Sequence, residues 1–213
     1  MGNTTYLRLL ILLAVATLLI AVLGLYLMIA IDRPAAPAAT VIPTHTSQTR
    51  FTQPFTLTSQ RGETVTQNTF LGKPTLYFFG YTHCPDVCPT TLSTIAGWLT
   101  QLGPDATKLN VVFVSIDPAR DTPDALNKYV SAFSPHILGA TGTPQQLETM
   151  AKQFMVYYAK MPTKPGENPN DYTMSHSSMI LIADPTGTFL GTLDVHDTDA
   201  NAVARLHDII NGK

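Results

Sequence analysis

Two patterns of apolar positions divide the chain. From Leu9 to Ile31 no side chain carries a charge, a run long enough to cross about 30 Å of hydrocarbon as one helix. A cleaved signal peptide would instead have an apolar core of about 7–15 residues and a small-x-small site. Here Ala35, Ala36, Ala38 and Ala39 are interleaved with Pro34 and Pro37, so a retained anchor is expected. Arg8 on one flank faces Asp32 and Arg33 on the other. The short N-terminal flank beside a large C-terminal domain favours N-inside. The expected organisation is a cytoplasmic flank (1–8), a transmembrane helix (9–31), a Pro/Ala/Thr tether (32–48) and a folded domain (49–213). The tether has little to bury and reads as a semi-extended spacer. No room remains ahead of the helix for an organellar transit peptide. The expected location is therefore a bacterial inner membrane, single-pass, with the domain facing the periplasm.

After residue 49 short apolar runs alternate with helical periodicity. Phe55–Leu57 and Thr64–Thr66, around Gln60–Glu63, predict a hairpin. Thr75–Gly80 and Val111–Ile116 are continuous apolar runs that read as buried strands. Thr90–Leu102 has Leu92, Ile95, Ala96 and Leu99 at helical spacing, with Pro89 suited to the first helical position. Thr122-Pro123 and Thr143-Pro144 are cap-and-proline helix starts, predicting helices to about Phe133 and Phe154. Ile137–Ala140 reads as a short strand and Val156–Lys160 as extended. Pro162–Met174 is a long polar loop of a kind often tied to function. Strands at Met179–Ala183 and Phe189–Leu193 and a helix near Ala200–Ile210 complete the domain. This order predicts a thioredoxin-like α/β sandwich, in which loops at the carboxyl ends of neighbouring parallel strands share one edge. The loops at Cys84 and Asp117 should lie close together, with the loop carrying His176 in reach.

Composition narrows the function. The formal net charge is −2, and leaving out Arg8, Arg33 and Asp32 moves the domain to −3; nucleic acid is not an expected partner. The chain has two cysteines, Cys84 and Cys88, in Cys-Pro-Asp-Val-Cys-Pro at a strand-to-helix junction. Each precedes a proline, which disfavours helical backbone there. Cys88 is expected near the N-cap, where free N–H groups favour a thiolate. Such a pair can close as a disulfide, exchange thiols or bind a soft metal. A disulfide of this spacing closes too small a loop to stabilise the fold much.

A metal would need a third ligand. Of the six histidines, His45 falls in the tether, His136 in a turn and His207 on the last helix, all surface or packing positions. His83 adjoins Cys84 and is a candidate transient or outer ligand; His196 follows an edge strand. His176 ends the long loop at the start of a strand and is the strongest candidate. Asp86 and Asp117 are candidates to orient ligands or to cap turns. Met174 and Met179 offer thioethers, with core packing the simpler role.

Three segments resemble the signature blocks of the Sco/SenC family: Gly80-Tyr-Thr-His-Cys-Pro-Asp-Val-Cys-Pro89, Ser115-Ile-Asp-Pro-Ala-Arg-Asp-Thr-Pro123 and Asp171-Tyr-Thr-Met-Ser-His-Ser177. The resemblance covers about Gln53–Ile210 and extends to the anchor and tether. It implies a thioredoxin-fold copper protein assisting assembly of the dinuclear copper centre of cytochrome c oxidase, with Cys84, Cys88 and His176 as copper ligands. The expected partners are the copper-accepting oxidase subunit, a periplasmic copper donor, a thiol reductant and the membrane. Two thiolates and an imidazole suit Cu(I), while Cu(II) would want a further ligand and zinc remains a competitor. The alternative is a thiol-disulfide reductase acting on the recipient's cysteines, with Cys84 and Cys88 as the redox pair. The usual peroxiredoxin active-site pattern is absent around Cys84.

Overall fold

A computed structural model describes residues 16–24, 26, 51–163, 168 and 170–212. The chain divides into two units, Met1–Ser47 and Gln48–Lys213. In the first, residues 16–24 are helical; most of the expected anchor, and the whole tether, lie outside the described residues. Among the described residues no helix is long and apolar enough to cross a membrane.

The second unit is built on a seven-stranded sheet. Its strands are β1 (Thr56–Ser59), β2 (Thr64–Thr66), β3 (Thr75–Gly80), β4 (Asn110–Ser115), β5 (Ile137–Thr141), β8 (Ile180–Ala183) and β9 (Phe189–Leu193), in the order β2-β1-β5-β4-β3-β8-β9. β6 (Tyr158–Lys160) and β7 (Met174–His176) form a separate two-stranded sheet. β3, β4 and β5 run parallel, and β8, β9 and β1 are antiparallel to their neighbours. Parallel pairs need crossovers, supplied by α1 (Val87–Leu102) between β3 and β4 and by α2 (Pro123–Ser131) between β4 and β5. α3 (Pro144–Gln153) and α4 (Asp199–Ile210) complete the set. This is the thioredoxin-like α/β fold expected from the pattern.

Local chemistry explains the boundaries. Every residue of β3 is buried, as its unbroken apolar run requires of a strand covered on both faces. The Thr122 side chain accepts the Ala125 N–H and Pro123 opens α2. Thr143 and Gln146 form a reciprocal capping box at the start of α3. On α1, Leu92, Ile95, Trp98 and Leu99 are buried. Trp98 Nε1 donates to Asp199 Oδ1 at 2.9 Å, tying α1 to α4.

Two differences from the sequence reading bear on the cysteines and His176. α1 begins at Val87, so Cys88 and Pro89 lie in its first turn and Asp86 is the N-cap. First-turn N–H groups have no intrahelical partner, so a proline there loses no bond, and this outweighs the bias on the residue before it. Met174–His176 belongs to a strand rather than a loop end, because β6 supplies a partner in register: Tyr158 opposite His176 and Lys160 opposite Met174.

Candidate metal centre

β3 and β4 end side by side, with the Ile116 N–H donating to the Gly80 carbonyl at 2.9 Å. Both following loops therefore leave the same edge of the sheet. In the first, the Cys84 N–H donates to the Tyr81 carbonyl at 3.3 Å, and the chain then enters α1. Cys84 is half-buried and Cys88 fully buried, both as free thiols. The Cys88 N–H donates to Cys84 Sγ at 3.4 Å. One orphan donor of the helix start is thus directed at Cys84.

His176 arrives from β7. Its Nδ1 lies 2.9 Å from the Ser177 carbonyl, which can only accept, so Nδ1 carries the hydrogen. In the neutral ring Nε2 is then left with its lone pair, and Nε2 lies 3.5 Å from Cys88 Sγ. The imidazole meets the Tyr81 ring edge-on at 5.9 Å and the Phe78 ring at 6.4 Å. The three ligand atoms, two sulfurs and one imidazole nitrogen, lie within 4.8 Å of one another. Among the described residues this is the one group of three or more such side chains able to hold a metal ion. The donor set is soft and low in number, chemistry that fits Cu(I) and is open to ligand exchange.

Burial reverses one expectation. It pushes the Cys88 thiol up from its usual range, against a smaller opposing effect of a backbone hydrogen bond at Tyr81. Removing a charged sulfur from water disfavours the thiolate, so burial acts against the thiolate expected at this helix start.

The other candidates lie around the three. His83 is exposed, 3.0 Å from Thr82 Oγ1 and 3.7 Å from Asp121 Oδ1. Asp86 is exposed and accepts from Thr90 Oγ1 at 3.4 Å. Asp117 touches no candidate ligand; it accepts from Arg120 Nε and from the Tyr172 hydroxyl, each at 2.6 Å. Met174 is partly buried against the core, whereas Met179 is 51% exposed, contrary to the packing role expected for it. Met179, Asp86, Val87, Leu193, Asp194 and His196 line a groove of about 370 Å³ beside the cysteine loop. His207 lies 3.5 Å from Asp105, His136 is exposed, and His45 falls outside the described residues.

Sequence reading missed Asp121 and Tyr172. Asp121 is wholly buried and accepts from the Thr82 N–H at 2.9 Å and from the Thr82 and Ser115 hydroxyls, each at 2.6 Å. It anchors the backbone two residues before Cys84. The available signal was the placement of an Asp between a buried strand and a Thr-Pro helix start, which reads equally well as a surface turn.

The sequence profile of the SCO1/SenC family matches residues 43–211. Protein SCO2 of Saccharomyces cerevisiae mitochondria is 36% identical over 159 residues, 74% of this chain and 52% of that protein. Protein SenC of Rhodobacter capsulatus is 39% identical over 149 residues, 69% of this chain and 63% of that one. The chain thus spans about half to two thirds of these relatives' length. The structure of Bradyrhizobium japonicum ScoI with copper bound superposes with a TM-score of 0.68 at 44% identity, covering 74% of this chain and 98% of that one. The chain belongs to the SCO1/SenC family.

Proposed function

We propose that this protein is a copper metallochaperone, binding the ion through Cys84, Cys88 and His176 and passing it to the copper-accepting subunit of cytochrome c oxidase. One observation carries the reading: two sulfurs from the β3–α1 junction and an imidazole from β7 converge within 4.8 Å. Copper is cargo here. A set of two thiolates and one imidazole holds Cu(I) firmly, yet leaves a side from which a recipient's ligands can attack. Kinship with copper-bound ScoI supports the choice of metal. The uncharged run 9–31 and the tether 32–48 support a single-pass anchor in a bacterial inner membrane, with the domain in the periplasm beside a membrane-bound oxidase. A periplasmic copper donor and a thiol reductant complete the cycle.

Metal analysis of the reduced, purified domain tests this. About one Cu(I) per domain is expected for wild type, with weak retention by His176→Ala. Equal retention by the two would overturn the ligand assignment.

A second reading has its own observation. Cys84 is accessible while Cys88 is buried beside it, the asymmetry expected of an attacking and a resolving thiol. Reduction of a disulfide in the recipient would leave Cys84 and Cys88 joined and the recipient's two thiols free to take metal.

A further inference from the structure

His176 is carried by a hairpin outside the main sheet. Among the described residues β7 pairs with β6 and with no other strand, so its position relative to the cysteines is set by other contacts. Several of them converge on the turn Asp117–Asp121 that follows β4. The Tyr172 hydroxyl donates to Asp117 Oδ1 at 2.6 Å. Arg120 Nε donates to Asp117 Oδ2 at 2.6 Å, and Arg120 Nη1 to the carbonyls of Tyr172 at 3.0 Å and Asn170 at 3.2 Å. The Tyr172 ring has the Arg120 guanidinium carbon 3.7 Å and Lys160 Nζ 3.6 Å from its centroid. Lys160 belongs to β6, so this stack ties β6, and the segment that leads into β7, to the turn. The same turn supplies Asp121, which holds Thr82 and with it the cysteine loop.

We propose that Arg120 and Tyr172 form a latch that positions His176, so that one five-residue turn registers both halves of the metal site. The proposal rests on Cys84, Cys88 and His176 being the copper ligands. Neither latch residue contributes a ligand atom to the three-residue cluster; both act through the imidazole. With the latch formed, the third ligand is held ready and little ordering remains to be done on binding. With the latch broken, the hairpin keeps its own pairing, including the 2.9 Å bond from the Ser177 N–H to the Tyr157 carbonyl. It loses its register to the cysteines, and copper falls back on two sulfurs. Arg120 suits the task because its planar fork meets a carboxylate and two carbonyls at once, which a lysine ammonium does not reproduce.

A double-mutant cycle in the purified domain tests the latch, reading Cu(I) affinity by competition with a chromophoric chelator. Arg120→Gln removes the fork, and Tyr172→Phe removes one hydroxyl while keeping the ring. Each should weaken Cu(I) binding by about tenfold in the wild-type background and by less than about twofold when His176 is already alanine. Arg120→Lys should recover only part of the loss. In the Cu(II) form, the sulfur-to-copper absorption and nitrogen hyperfine pattern of the latch variants should move towards those of His176→Ala. Leu206→Ala, a buried change on α4, should lower stability without moving that spectrum. Equal weakening in both backgrounds would make Arg120 and Tyr172 general structural supports and overturn the latch. Wild-type affinity in the latch variants, with His176→Ala still weakened, would sink the latch alone. Equal affinity in wild type and His176→Ala would overturn the ligand set and the latch with it.

Discussion

Cys88 Sγ and His176 Nε2 stand 3.5 Å apart although 88 positions separate them in the chain. One sits in the first turn of α1 and the other on β7, and nothing local obliges them to meet. Their meeting follows from the fold. β3 delivers the cysteines to the sheet edge, β4 delivers the Asp117–Asp121 turn beside them, and that turn grips the segment that leads into β7.

The two cysteines differ in accessibility, and reactivity should follow. Cys84 is half-buried and Cys88 is 0% exposed. In the reduced, metal-free domain, brief treatment with an alkylating agent should modify Cys84 first, as read by peptide mass. Burial also keeps the Cys88 thiol from ionising readily. Preferential labelling of Cys88 would contradict the arrangement.

Gly80 should tolerate no side chain. A Cβ there would lie 2.7 Å from Cys88 Sγ and 2.8 Å from Phe113 Cε2, and both residues are wholly buried. Gly80→Ala should therefore destabilise the domain by roughly 1–3 kcal/mol, as overpacking does, and should weaken copper retention by displacing Cys88. Urea unfolding and metal analysis read the two effects. Wild-type values in both would show that the sulfur is not packed against the strand end.

Asp121 is a structural anchor of the cysteine loop. Asp121→Ala would remove the acceptor of one part-buried N–H and of two hydroxyls, the Ser115 one buried. Hydrogen bonds to a carboxylate are worth more than neutral ones, so a loss on the order of 3 kcal/mol is expected. For a domain of this size that corresponds to a melting temperature lower by roughly 6–12 °C. A shift within about 1 °C would contradict the role assigned to the turn.

Most of the fold was legible because its strands and helices announce themselves locally. Buried runs such as Thr75–Gly80, and Thr-Pro helix starts such as Thr143-Pro144, carry their own signals. The hidden parts were those decided by distant partners. β7 exists because β6 lies opposite it, and Val156–Lys160 gave no hint of that pairing. Asp121 and Tyr172 are inconspicuous in sequence; only tertiary structure makes one a buried acceptor and the other a donor to Asp117. Cys88 misled for a related reason. A helix N-terminus is visible in sequence, but the burial that pushes the Cys88 thiol up depends on packing against β3.

Oxidation should close the site. A Cys84–Cys88 disulfide would occupy both sulfurs and leave His176 alone, and one imidazole cannot hold Cu(I) against competing thiols. Domain whose disulfide is verified by mass should take up no Cu(I), and should regain uptake after a dithiol reductant. Undiminished uptake by the oxidised form would remove the redox gate.

The anchor is tested in cells. The full-length chain should fractionate with the inner membrane, and its domain should be open to protease added to the periplasm. A processed, freely soluble form would exclude the retained helix at 9–31.

X-ray absorption at the copper edge of the Cu(I)-loaded domain tests the central claim most directly, because it counts the atoms around the metal. The account predicts a first shell of two sulfur scatterers and one imidazole nitrogen, with the imidazole signal lost in His176→Ala. A sulfur-only shell in wild type, or an imidazole signal that persists without His176, would contradict it.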